Sequence, residues 1–216
     1  STLDRLLRPI RREAKPHKRR RPRPKKPSGS VRVRTFSDWN DPPPGYLEID
    51  FVDHNGGSTA GAYIHSLVAV DICSGWVESI PLLAKSQELV VEALEVISRQ
   101  LPFPVLGIDS DNDSAFINDT LLVYCQGKHI EFTRSRAYRK NDQAWIEQKN
   151  GSVIRRFVGY DRFAGIVAGQ ALATLYQAAR LYVNHFQPSF KLREKEKNAA
   201  KVKRCYEKPK TPCEGL

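Results

Sequence analysis

Residues 62–72, AYIHSLVAVDI, form an almost unbroken apolar run that ends in the turn residues Cys73, Ser74 and Gly75. A strand with one wet face alternates apolar and polar side chains, so a run this continuous reads as a strand covered on both faces. The segments around it fit that reading. YLEIDFVDH (46–54) precedes it and WVESIPLL (76–83) returns through the Ser74-Gly75 turn, which predicts a three-stranded antiparallel meander. The period then changes. In KSQELVVEALEVISRQ (85–100), Leu89, Val90, Ala93, Leu94, Val96 and Ile97 recur at helical spacing, with Ser86 placed as N-cap. VLGIDS (105–110) and IEFTRS (130–135) are short buried strands on either side of a helix, FINDTLLVYCQGK, closed by Gly127. Two further helices follow, at 141–160 and 168–186, the first weakened by Gly151. The order predicts an α/β domain: a five-stranded mixed sheet with helices on both faces.

No run of about 18 apolar residues exists, and no short apolar stretch follows a basic amino end, so neither a membrane span nor an export signal is expected. The four cysteines lack CxxC or Cys/His spacing, which predicts reduced, structural thiols without a zinc site. A chain without a single methionine reads as a piece of a longer protein.

Charge is segregated. Residues 1–36 hold 14 Lys and Arg against two acids, residues 187–216 hold nine against four, and the middle is acidic, with 12 against 18. An acidic body between basic arms suits a protein that grips a polyanion while keeping carboxylates for cations. STLDRLLRPI (1–10) has the helical pattern of the last turns of a preceding domain. Residues 11–44 read as a basic Pro-rich linker, whose Arg19, Arg20 and Arg21 are candidate phosphate contacts. The catalytic core is expected over 45–187, and 188–216, without apolar periodicity, reads as a basic tail leading out of it.

Acidic residues stand inside otherwise apolar segments: Glu48 and Asp50 in the first strand, Asp109, Asp111 and Asp113 at the end of the fourth, and Glu147 in a helix. Two carboxylates about 4 Å apart repel by about 4 kcal/mol at an effective dielectric of 20, so a cluster of them calls for a cation. Oxygen ligands without His or Cys select hard ions, Mg2+ or Mn2+. Asp71, at the start of a turn, reads instead as a hydrogen-bond acceptor for backbone amides. His65 reads as a satisfied strand histidine, His54 as a residue near the acidic strand's end, and Trp145 as a core anchor.

Together, LEIDFV, DSDNDSAF and RSRAYRKNDQAWIEQKN resemble the catalytic core of retroviral integrases and of bacterial insertion-sequence transposases, the DDE superfamily. That family places one Asp in the first strand, a second at the head of a D-N-G-x-x-F stretch, and then a Glu with 35 residues between. The interval from Asp111 to Glu147 is 35 residues; Asp109 and Asp113 give 37 and 33. Tyr138, Gln143 and Asn150 also stand at the family's positions, while Asp113 replaces its glycine. The resemblance implies a ribonuclease H-like fold with Asp50, Asp111 and Glu147 as catalytic ligands of two Mg2+ or Mn2+ ions, with Glu48 the competing residue in the first strand. It implies DNA contacts by Gln143, Arg139, Lys140 and Asn150. Lys149 and Arg156 read equally as solvated charges.

The expected function is metal-dependent cleavage at DNA 3′ ends followed by strand transfer, on double-stranded DNA, by a homo-oligomer. The alternatives are a nuclease of the same fold and a silent DNA-binding subunit. The expected setting is the bacterial cytoplasm, at the nucleoid, with no membrane partner.

Overall fold

The computed structural model describes residues 31–137, 140–190, 192–198 and 201–216, and of residues 140–141, 192–198 and 201–205 the backbone alone. The expected helix end at 1–10 and Arg19, Arg20 and Arg21 lie outside the described residues. The predicted strands and helices form where the patterns put them. Strands β2 (Tyr46–His54), β3 (Ile64–Asp71) and β4 (Val77–Leu82) make the meander, and helix α1 (Gln87–Gln100) starts at its N-cap Ser86, whose hydroxyl accepts from the Leu89 N–H. Strand β5 (Gly107–Ser110), α2 (Asp119–Gly127) and β6 (Glu131–Arg134) follow.

The sheet has six strands, not five. A two-residue strand, β1 (Arg32–Val33), pairs parallel with β6, giving the order β1-β6-β5-β2-β3-β4. Two residues are too few for apolar alternation to signal. Val31 and Trp39 are nonetheless 4% and 5% exposed, so residues 31–39, expected within the linker, pack against the folded body.

Strand β2 is central, parallel to β5 on one side and antiparallel to β3 on the other. Its alternate residues feed two cores. Leu47 and Ile49 pack with Leu67, Ala69, Ile108 and α1, whereas Val52 packs with Ile64, Val68, Val70 and the helices of the opposite face. This is the two-sided burial that the run at 62–72 demands.

The opposite face carries the helix that Gly151 was expected to weaken, and it is broken. A 3-10 turn at Lys140–Gln143 leads into α3 (Ala144–Lys149), a π turn spans Asn150–Ile154, and α4 (Arg155–Val158) ends at Gly159. The unbroken α5 (Gly165–Phe186) packs across β4. The tail, read as leading out of the core, forms an antiparallel hairpin of β7 (Leu192–Asn198) and β8 (Lys201–Tyr206). Its strands are rich in Lys, Arg and Glu, so no apolar period announces them.

Gly45 marks the entry to β2. It has φ +117, and a Cβ there would lie 2.4 Å from the Pro104 carbonyl oxygen, so only glycine fits. Its N–H donates to Asp71 Oδ1, and Asp71 Oδ2 accepts from the Ser74 N–H and hydroxyl, the role expected of Asp71.

Asn184 of α5 is fully buried and bridges the Val77 backbone, with Oδ1 accepting from the N–H and Nδ2 donating to the carbonyl, each at 2.9 Å. Removing the amide strands two buried backbone groups, at about 1–3 kcal/mol each. Asn184→Ala is expected to lower unfolding free energy by about 2–4 kcal/mol, measured by urea denaturation; a loss below about 0.5 kcal/mol would refute the bridge.

Candidate functional site

Glu48 and Asp50 share the β2 face that looks toward α3, but they do different work. Glu48 is 0% exposed and its Oε2 accepts from the Ile146 N–H at 2.8 Å. That amide belongs to the first turn of α3, where backbone N–H groups lack helical partners and the helix dipole favours negative charge. Burial raises the Glu48 carboxyl well above its ordinary range; the Ile146 N–H counters it, and the charges of Asp109 and Glu147 push further up. The Glu48 oxygen left over, Oε1, is buried without a partner. One oxygen of the competing residue in strand one is thus taken up in holding the start of the helix that carries Glu147.

Asp50 stands two residues on. Its Oδ1 accepts from the Phe51 N–H at 2.7 Å and its Oδ2 from Asn150 Nδ2 at 2.9 Å. Burial, opposed by the Phe51 N–H and reinforced by the charge of Asp111, raises its pKa to about 7. Asp111 follows β5, which runs parallel beside β2 with Ile49 opposite Ser110, so Asp111 leaves the sheet beside Asp50. Its Oδ1 accepts from the Asp113 N–H at 2.8 Å, and burial raises its carboxyl too. The motif's neighbours fix this loop. Asn112 Nδ2 donates to the Ser135 carbonyl while its Oδ1 accepts from Arg134, and Phe116, fully buried, stacks on Phe51 with ring centroids 4.5 Å apart.

The departure at Asp113 leaves the turn unstrained. Among the described residues the non-glycine positions with positive φ are Asn40, Asp41 and His129, so no left-handed backbone is needed there. Asp113 Oδ1 accepts from the Ala115 N–H at 2.9 Å, closing the turn with its side chain. Asp109, by contrast, is 1% exposed within the sheet. Its Oδ1 accepts from Thr133 Oγ1 at 2.6 Å, and burial raises its pKa to about 7.

Glu147 is exposed on α3. Among the described residues no three His, Cys, Asp or Glu side chains are gathered closely enough to hold a metal ion. The pair Asp50 and Asp111 nevertheless suits a hard cation: two partly buried carboxylates with raised pKa values, beside the buried and unpartnered Asn150 Oδ1. All of these donors are oxygens.

The other expected contacts fall differently. Gln143 is 9% exposed, with Nε2 buried and unpartnered at the N-cap of α3, so it is part of the helix start rather than an open surface. Asn150 turns to Asp50. Lys140 lies in the 3-10 turn with its side chain outside the described residues, as is the whole of Tyr138 and Arg139. Lys149, read as either solvated or phosphate-bound, is 7% exposed, and burial lowers its pKa. Its amine points to Gly75, where a Cβ would stand 3.6 Å from Nζ; the missing side chain at Gly75 makes the room. His65 Nδ1 pairs with Asp53 Oδ1 at 2.7 Å, and His54 bonds Ser66 beneath Tyr176 rather than the aspartates. Trp145, expected as a core anchor, is partly buried against the core of the opposite face and stacks on Phe36 at 4.4 Å.

Residues 40–140 match the family described as the integrase core domain. The chain is 50% identical over 213 residues, 98% of its length, to the protein y4rM of Sinorhizobium fredii, and spans 61% of that protein. It is 31% identical over 107 residues, 49% of its length, to the Gag-Pol polyprotein of avian reticuloendotheliosis virus, spanning 9% of that polyprotein. The fold resembles the HTLV-2 integrase catalytic core domain in complex with magnesium, at TM-score 0.53 and 18% identity, over 69% of this chain and 93% of that one. It also resembles a chain of the simian T-cell lymphotropic virus intasome bound to PP2A regulatory subunit B56 gamma, at TM-score 0.54 and 19% identity, over 77% of this chain and 55% of that one.

The raised Asp50 pKa has a sign that can be tested. The folded chain holds its proton up to about pH 7, the unfolded chain only to about 4, so without metal the fold loses stability as pH rises between these values. Asp50→Asn cannot ionise and keeps an oxygen for the Phe51 N–H. In the absence of divalent ions it is expected to exceed the parent chain by about 1–4 kcal/mol at about pH 8 and to lose that advantage near pH 4. Urea unfolding at the two pH values measures this; a gap independent of pH would refute it.

Proposed function

From a chain that carries an integrase core of the DDE transposase and retroviral integrase superfamily, we propose a transposase or integrase that cleaves DNA at 3′ ends and joins them to target DNA. The observation that carries this reading is the placement of Asp50, in mid-β2, beside the end of the parallel strand β5, which Asp111 follows, both with carboxyls raised by burial. In that position they would hold divalent cations, Mg2+ or Mn2+. Two such ions supply electrophilic activation of a phosphodiester and charge stabilisation of its leaving oxygen.

The protein's own groups supply the geometry. Asn150 holds Asp50 in place, Asn112 and Phe116 hold the Asp111 loop, and Glu48 fixes the start of the helix from which Glu147 completes the ligand set. Glu147, exposed on α3, would be the third residue to hold the ions. Water first attacks the phosphodiester and releases a 3′-hydroxyl. That hydroxyl then attacks a phosphodiester of the target, forming one P–O bond as another breaks, with no covalent bond to the protein. Arg139 and Lys140, before α3, and Arg19, Arg20 and Arg21 of the amino-terminal arm position phosphates. A homo-oligomer on DNA, in the bacterial cytoplasm, brings two ends together.

Donor-end duplex, plasmid target and Mg2+ test this directly. Joined products are expected from the parent chain. Cleavage without joining would point to a nuclease, and binding alone to a silent subunit. Asp111→Asn is expected to lower joining at least about 100-fold with DNA affinity within about threefold. Asp109→Asn, altered only within the sheet, is expected to retain joining; loss there with Asp111→Asn active would overturn the assignment.

A further inference from the structure

Among the described residues, Lys85 is a cation whose charge acts on both Asp50 and Asp111, and the pattern of acids does not announce it. It sits between the end of β4 and Ser86, the N-cap of α1, so its backbone is fixed by a helix start. Its ammonium lies 3.1 Å from Asp53 Oδ1 and 3.6 Å from Asp113 Oδ2, and 4.7 Å above the Phe51 ring. Asp53 belongs to the strand that carries Asp50, and Asp113 to the loop that carries Asp111. Asp53 is itself held by His65 on β3. Phe51, under the lysine, stacks on Phe116 at the far end of the Asp111 loop. The loop is therefore fastened to β2 at two points: an aromatic stack at Phe116 and an ion bridge at Asp113. The field of Lys85 also lowers the carboxyls of both Asp50 and Asp111, opposing the burial that raises them.

We propose that Lys85 is a positioning residue: its ammonium bridges Asp53 and Asp113 and sets the separation of the strand and the loop that carry Asp50 and Asp111. The bridge gives the acid at position 113 a purpose. With glycine there, the loop would have neither the ion pair nor the Asx-type closure onto Ala115. Asp113→Asn separates these two functions, because Asn keeps an oxygen for the Ala115 N–H and loses the charge that meets Lys85.

The catalytic part of this inference rests on the strand-transfer reading; the bridge itself does not, and the test has an arm for each. In joining of precleaved ends, Lys85→Gln and Asp113→Asn are each expected to lower kcat about tenfold with KM for DNA within about twofold. The double variant is expected to be no slower than the slower single one, because both remove the same bridge. Lys85→Arg should recover to within about threefold of the parent. A rise in KM at constant kcat would mean that Lys85 binds DNA, and additive losses would mean that the two residues act separately; either overturns the proposal.

The second arm is amide hydrogen exchange of residues 111–117 without DNA. Both single variants are expected to speed it at least about fivefold, with exchange in α5 unchanged. Unchanged protection of 111–117 overturns the bridge whether or not the chain joins DNA. A parent chain that joins no ends, with faster exchange in the variants, keeps the bridge and refutes the strand-transfer reading.

Discussion

The bond between Glu48 and the Ile146 amide ties the central strand to the broken helix, and the candidate site depends on it. β2 is sheathed on both faces, so every polar side chain on it has to find a partner within the protein. Glu48 finds the amino end of α3. Asp50, on the same face, finds Phe51 and Asn150. One strand thereby sets where the first aspartate stands and where the helix of Glu147 begins.

The helix that follows is a chain of short pieces. The π turn begins at Asn150, whose amide reaches Asp50, and contains Gly151, which favours helix least among its neighbours. Its extra residue changes the angular relation between Glu147 and the residues beyond. Val153 and Ile154 still reach the core, while Glu147 faces solvent. Local irregularity of this kind lets a single helix serve both the core and a site at its edge.

Much of the fold was legible because burial on both faces leaves a plain record in the sequence. The run at 62–72, the helical face of α1 and the Ser86 cap reappear as drawn. The signal failed where structure rests on other forces. Strand β1 is held by pairing with β6, and the tail hairpin by backbone bonds among charged residues. At the candidate site, spacing singled out Asp111 and the fold places it beside Asp50. The sequence could not reveal that Gln143 and Lys149 are buried, since a charged or amide side chain near a catalytic motif looks the same whether it meets water or the neighbouring turn. Lys85 escaped because its partners are 32 and 28 positions away and meet only through the sheet. The one available sign was an acid in a place where the family has glycine.

The outer edge of β4 offers a different lesson. In an antiparallel pair, alternate residues turn their backbone groups away from the partner strand, and on β4 those are Val77, Ser79 and Pro81. Asn184 occupies both groups of Val77, and Pro81 has no N–H to give. At the other end of the sheet the edge is a strand of only two residues. Among the described residues, neither margin of the six-stranded sheet presents the long row of open donors and acceptors on which a further strand could pair. Lengthening of this sheet by an added strand is thereby disfavoured at both margins, which leaves the spacing of the aspartate-bearing strands to contacts within the chain.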